Sequence, residues 1–271
     1  MASMKCIDVD DRQYVDVTLL SDEVHVWCVC LDLLSTCFEY LERVLSEDEV
    51  DRATRFYFER HRQCFVITRG MLRIILSWYL KRKPRELCFC YNKYGKPAIA
   101  DMSGDLTLNF NVSHSGRLAL CAITAERKVG VDIESIRPFK NMEGIVMSMF
   151  SNQEQEAFSA LPEYMKQEAF FNCWTRKEAY LKAVGRGLSY PLGKFSVSMM
   201  PGEPARLLEV EGKQNEDCRW ALKEISPAPG YVAAVAAEDH GWHVRFGTGR
   251  LWAMNNGNAE EYGTIAGSLL Y

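Results

Sequence analysis

The sequence has ten cysteines but no pair spaced C-x-x-C, so the usual zinc-site signature is missing. Cys28/Cys30 and Cys88/Cys90 are spaced C-x-C, and with Cys121 they lie in apolar or aromatic runs. A free thiol there behaves as a small hydrophobe. No window approaches the roughly 18 apolar residues that a membrane-spanning helix needs. The opening stretch, MASMKCIDVDDRQ, lacks the apolar centre of a signal peptide. A broad basic excess is also missing. The formal net charge of −4 argues against a general nucleic-acid binder, although a few local cations can still hold a small anion. A reduced, soluble, cytoplasmic protein that binds neither nucleic acid nor membrane is the expectation.

What is present is ordinary in bulk. The 271 residues suit one large domain or two small ones, and 48% hydrophobic with 25% charged residues is a globular balance. Val24–Leu34 is rich in β-branched and aromatic residues and reads as a strand. Ser46 with Glu49 three residues later reads as a capping box that starts a helix. The helical region is expected to run to about Arg82, with a break near His61, and Pro84 ends it. Leu87–Tyr91 reads as a short strand and Asn92–Pro97 as a turn. Leu106–Val112 and Leu118–Thr124 read as strands separated by Ser113-His114-Ser115-Gly116.

The second part of the chain then starts over. Val129–Ile133 is an expected strand, Ser151 opens another helix, and Phe170–Leu188 reads as an amphipathic helix stopped by Gly185 and Gly187. Leu192–Met200, Arg206–Val210, Arg219–Ile225 and Tyr231–Ala237 are the later strands. Shifted by 105 residues, Val24 falls on Val129, Ser46 on Ser151, Phe65 on Phe170 and Arg73 on Glu178. This predicts an α+β protein of two similar halves related by a pseudo-twofold axis. The first half is residues 1–127, the second is 128–246, and 247–271 is read as a flexible tail. In this alignment Asp132, Glu134 and Glu178 fall where the first half has Trp27, Val29 and Arg73. One half would then supply acids and leave the other free to supply cations to a single cleft.

Asp132 and Glu134 alternate with Val131 and Ile133, so both carboxylates lie on one face of a strand, about 6–7 Å apart. Like charges that close repel unless they are solvated, protonated or bridged by a cation. Taken alone, the pair can simply mark a strand end that reaches water, and Glu178 with Lys182 can be a solvated helix pair. With Glu178 as a third oxygen donor, the set suits Mg²⁺ or Mn²⁺. Lys96, Ser113, His114, Lys182 and Arg52 add cations and hydrogen-bond donors. Singly each has a plainer local role; together they describe a site for a phosphorylated, metal-chelating ligand.

These residues fall into four motifs: YGKPAI around Lys96-Pro97, Asn111-Val112-Ser113-His114-Ser115, Gly130-Val131-Asp132-Ile133-Glu134, and Trp174-Thr175-Arg176-Lys177-Glu178 running on to Lys182. In this order and spacing the sequence resembles the 4′-phosphopantetheinyl transferases of the surfactin-synthetase-activating (Sfp) type, from about Leu45 to Ala237. The resemblance implies that family's fold and holo-[acyl-carrier-protein] synthase activity. The phosphopantetheine arm of coenzyme A would pass to a serine of an apo acyl or peptidyl carrier protein, releasing adenosine 3′,5′-bisphosphate. It implies Asp132, Glu134 and Glu178 as Mg²⁺ ligands and Glu178, directly or through a metal-bound water, as the base. Lys182, His114 and Ser113 would meet the phosphates. Gly95, Lys96 and Pro97 would border the adenine and ribose, and Arg52 would meet the 3′-phosphate. The chain departs from the family at Glu49, where relatives often carry a basic residue, and at Phe65, where some carry a hydroxyl.

Carrier proteins are acidic, and the segment Phe139–Phe150 combines Lys140 with apolar residues, as a docking surface would. Ile145, Val146, Met149 and Phe150 are equally readable as core. The two-half layout implies a monomer. The other functions left open are a different Mg²⁺-dependent enzyme that cleaves the pyrophosphate of CoA or a nucleotide, and a non-catalytic carrier-binding homologue.

Overall fold

A computed structural model describes residues 17–101 and 107–248. The first half runs β1 (Glu23–Cys30), α1 (Phe38–Arg43), α2 (Glu47–Thr54), α3 (Glu59–Leu80), the hairpin β2 (Phe89–Tyr91) and β3 (Pro97–Ile99), then β4 (Leu108–Ser115) and β5 (Leu118–Ala125). The second half runs β6 (Val129–Ser135), α4 (Met142–Met149), α5 (Asn152–Ser159), α6 (Glu163–Val184), the hairpin β7 (Phe195–Val197) and β8 (Leu207–Val210), α7 (Glu216–Arg219), β9 (Trp220–Ile225) and β10 (Tyr231–Glu238). A final strand, β11 (His243–Thr248), follows. The strand order β1-β5-β4 in the first sheet is repeated as β6-β10-β9 in the second, antiparallel throughout. The fold is α+β with a repeated half, as the sequence predicts.

The strands alternate between two cores. In β5, Ala119, Cys121 and Ile123 pack with α3 residues such as Met71 and Ile75, while Leu120 and Ala122 face the other sheet. In β10, Val232, Ala234 and Ala236 pack with α6 residues, and Ala233, Val235 and Ala237 face the first sheet. Each sheet is therefore covered on both faces, one by its long helix and one by the other sheet. Strands buried this way are apolar without interruption, which is how they read in the sequence.

The predicted capping box forms at Ser46/Glu49, and the helix start expected at Ser151 is a second one, Ser151/Glu154. Their glutamates are buried, and each is neutralised by a cation from the long helix. Arg73 Nε lies 2.5 Å from Glu49, and its Nη1 donates to the carbonyls of Pro84 and Leu87. Lys177 Nζ lies 2.7 Å from Glu154 and donates to the carbonyls of Leu192 and Phe195. The two sites are equivalent, which corrects the constant shift. α2 and α5 have eight residues each and keep it, but four residues, Arg55–Phe58, precede α3 and only three, Ala160–Pro162, precede α6. The 22-residue helices α3 and α6 consequently match one position out of the expected register. Arg73 matches Lys177, and Glu178 matches the buried Ile74. Arg73 is spent inside the first half and supplies no cation to a cleft.

Other expectations shift for local reasons. The helical break falls at Arg55–Phe58, and His61 lies in the first turn of α3. The strand expected over Leu192–Met200 shrinks to Phe195–Val197, because Leu192–Lys194 is a 3-10 turn whose ends Lys177 binds. β4 continues through Ser113, His114 and Ser115, which belong to the strand and not to a connecting loop. β11 pairs in parallel with β1 of the first half, so the second half crosses back over its partner. This strand includes Gly247 and Thr248, and the rest of the expected tail, 249–271, lies outside the described residues. Among the described residues no helix is long and apolar enough to cross a membrane.

Candidate active site

β6 is an edge strand of its sheet, and β4 is an edge strand of the other. Unpaired edges expose backbone donors that must be satisfied. Here two side chains of β4 do this across the gap. Asn111 Oδ1 accepts from the Val131 N–H at 2.9 Å, and Ser115 Oγ accepts from the Ser135 N–H at 3.1 Å. Between them Ser113 Oγ donates to Asp132 Oδ1 at 2.8 Å, and Ser115 Oγ donates to Glu134 Oε2 at 2.8 Å. The two halves are stitched together at the acids.

Because Val129, Val131 and Ile133 enter the core between the sheets, Gly130, Asp132 and Glu134 face α6. Gly130 lets that helix approach. A Cβ there would stand 2.1 Å from the Ala179 carbonyl oxygen and 2.3 Å from the Ala183 nitrogen, both backbone atoms. Only glycine fits, which explains the first letter of the G-V-D-I-E motif. α6 brings Lys182 to Asp132, with Nζ 2.6 Å from Oδ1 and 2.9 Å from Ser113 Oγ. Glu178 lies one turn earlier on the same helix.

The electrostatics are those of crowded acids. Burial pushes the Glu178 carboxyl up to about 7, with help from the charge of Asp132 and against the pull of Lys182. Burial also raises Asp132, although Lys182 and Ser113 act to lower it. Glu134 is raised by burial, opposed by its bond from Ser115. Asp132 Oδ2 and Glu178 Oε1 are buried and have no hydrogen-bond partner. Such orphaned oxygens are expensive unless a cation or a donor meets them. Among the described residues, however, no three His, Cys, Asp or Glu side chains are placed to hold a metal ion. The expected trio Asp132, Glu134 and Glu178 therefore does not stand as a formed coordination shell. Asp132 is drawn to Lys182 and Ser113, and Glu134 to Ser115.

The remaining expected residues divide. His114 projects from the other face of β4 and is exposed; partial burial and then the Lys182 charge hold its imidazole below the usual range. Lys96 turns inward, donating to the carbonyls of Val129 at 2.9 Å and Ala183 at 3.2 Å, so its amine joins the halves. Gly95, at φ 84°, makes the turn that the motif needs, and Pro97 opens β3. Arg52 is exposed on α2 with its guanidinium 5.2 Å above the Phe65 ring, and no ion pair or hydrogen bond joins it to the acids among the described residues. Glu49 is buried against Arg69 and Arg73, which accounts for an acid at a place where relatives often carry a base.

Sequence reasoning missed a cleft of about 400 Å³ between the Asn92–Tyr94 turn and the end of α6. Arg186 lies over Tyr190 at 5.4 Å and Lys93 over Tyr94 at 4.9 Å on its walls. It also missed the roles of Asn111 and Ser115. Their spacing, polar at every second residue of a strand, was the available signal. In the segment proposed for docking, Val146 and Phe150 are core, whereas Phe139, Met147 and Met149 are exposed.

Two family models match the chain. One described as "4'-phosphopantetheinyl transferase superfamily" matches residues 128–236, and one described as "4'-phosphopantetheinyl transferase, N-terminal" matches 34–126. The sequence is 42% identical over 231 residues to the 4′-phosphopantetheinyl transferase HetI of Nostoc sp., covering 85% of this chain and 94% of that one. It is 33% identical to a putative 4′-phosphopantetheinyl transferase of Synechocystis sp., covering 81% and 84%. It is 30% identical to the transferase Sfp of Bacillus subtilis, covering 73% and 89%. A solved holo-[acyl-carrier-protein] synthase of Thermotoga maritima aligns with 41% of this chain and 62% of its own, at 16% identity and a TM-score of 0.32, too distant to carry weight.

Proposed function

Because the chain belongs to the 4′-phosphopantetheinyl transferase superfamily, we propose that it moves the phosphopantetheine arm of CoA to a serine of an apo carrier protein, with Mg²⁺ or Mn²⁺ as cofactor. The observation that carries the residue assignment is the pair of orphaned oxygens, Asp132 Oδ2 and Glu178 Oε1, buried beside Lys182. An acidic donor set with two unsatisfied buried oxygens fits a hard divalent cation. Asp132, Glu134 and Glu178 would hold it. Bound there, the ion would neutralise the CoA pyrophosphate and polarise the bond to be cleaved.

Glu178, directly or through a water, would be the general base. It would take the proton of the carrier serine as the serine oxygen bonds to phosphorus. The bond from that phosphorus to the bridging oxygen breaks, and adenosine 3′,5′-bisphosphate leaves. Lys182, held by Asp132 and Ser113, would be available to the phosphate oxygens. A neutral His114 would donate an N–H to a phosphate oxygen. The cleft beyond Lys182, with Tyr94, Tyr190, Lys93 and Arg186, would take the nucleotide end beside Gly95 and Pro97. Arg52 remains a candidate for the 3′-phosphate. Exposed Phe139, Lys140, Met147 and Met149 offer a surface to an acidic carrier. One chain supplies both halves of the site, so a monomer suffices.

The test is to incubate the protein with Mg²⁺, CoA and apo carrier proteins from fatty-acid, polyketide and peptide synthases. A carrier mass gain of one phosphopantetheine arm, lost on chelation, is the expected result. Release of phosphopantetheine with no gain on any carrier would make the protein a pyrophosphate hydrolase instead.

A further inference from the structure

The hydroxyl of Ser115 is placed so that its one proton has a single destination. Its oxygen accepts from the Ser135 N–H at 3.1 Å, and its own O–H therefore goes to Glu134 Oε2 at 2.8 Å. Ser115 itself is buried, while Glu134 and Ser135 are partly exposed. Ser113, two residues earlier, repeats the device: it accepts from Lys182 and donates to Asp132. Residues two apart on β4 thus meet residues two apart on β6, rung for rung. Both serines come from the half of the protein that holds none of the acids.

We propose that Ser115 is a positioning residue that fixes the Glu134 carboxylate for the divalent cation, so that the first half sets the metal affinity of the second. This rests on the reading of Asp132, Glu134 and Glu178 as the cation's ligands. A free glutamate must give up its rotamers to bind a metal, and a carboxylate already held through one oxygen has given up most of them. Hydrogen bonds to ligating carboxylates typically change metal affinity about 10–100-fold when they are removed. Asn111 is the built-in control. It spans the same gap from the same strand but accepts from the backbone N–H of Val131, and among the described residues it makes no hydrogen bond to an acid.

The experiment titrates Mn²⁺ alone into the full chain and follows free Mn²⁺ by electron paramagnetic resonance, with thermal unfolding measured in parallel. Ser115→Ala is expected to weaken Mn²⁺ binding at least tenfold, Ser115→Thr to restore it to within about threefold, and Asn111→Ala to lower the unfolding temperature with less than threefold effect on Mn²⁺. Equal Mn²⁺ affinity in wild type and Ser115→Ala would overturn the proposal, as would an equal loss in Asn111→Ala. A wild-type protein that binds no Mn²⁺, or whose binding survives Glu134→Gln, would instead overturn the reading of the acids themselves.

Discussion

Lys177 and Glu154 meet at 2.7 Å with both side chains almost wholly removed from solvent, and Lys177 lies one residue before Glu178 on α6. The first half holds the same contact as Arg73 with Glu49, and in both the cation also binds the two carbonyls of a 3-10 turn. Each pair locks a capping box to a long helix. In the second half that lock sets how α6 is turned, and with it where Glu178 and Lys182 point.

Lys177→Met leaves the Glu154 carboxyl buried without its ion-pair partner. The expected cost is about 3–5 kcal/mol in urea unfolding. Lys177→Arg should recover more than half of this, because Arg73 fills the equivalent place. An arginine variant no more stable than the methionine one would break the equivalence of the two halves.

Gly130→Ala puts a methyl group against backbone atoms of α6 that cannot step aside singly. The helix must move off β6, with an expected loss of about 3 kcal/mol and of most transfer activity. Gly95→Ala is the contrast. A Cβ there meets nothing, so only its positive φ resists, at about 1 kcal/mol. Thermal unfolding of the two variants side by side checks the order.

Lys96 gives a pH dependence. Burial, and then the charge of Lys128, lower its ammonium to about 8 in the folded protein, from the usual 10.5. The unfolded chain therefore binds the proton more tightly, and stability rises with pH between about 8 and 10.5. Below 8 the folded state carries the whole penalty of the buried charge. The gap in unfolding temperature between Lys96→Met and wild type should accordingly shift in favour of wild type from pH 7 to 9.5. A gap that stays constant would mean that the Lys96 ammonium is as well solvated folded as unfolded.

Much of the site was legible because its pieces are local. Asp132 and Glu134 share a strand face, Glu178 and Lys182 a helix face, and Ser46 and Ser151 announce their helices by spacing alone. What was not legible depends on contacts across the chain. The single residue missing from Ala160–Pro162 is invisible to a constant shift, so Glu178 was set opposite Arg73 and not Ile74. Ser113 and Ser115 looked like a polar loop because nothing local says that a second edge strand waits beside them. The Lys96 amine finds the carbonyls of Val129 and Ala183, a contact across the halves that the turn's own sequence does not announce. β11 pairs with a strand at the other end of the sequence, which no local pattern can foretell.

The central claim is that Asp132 and Glu178 form one reacting site on the second half. It is tested most directly by transfer to an apo carrier protein with Mg²⁺ and CoA, followed by intact mass, for wild type, Asp132→Asn and Glu178→Gln. Thermal unfolding is recorded to show that each variant is folded. Both variants should transfer at least about 100-fold more slowly than wild type while remaining folded. Transfer at the wild-type rate by folded Glu178→Gln would contradict the account.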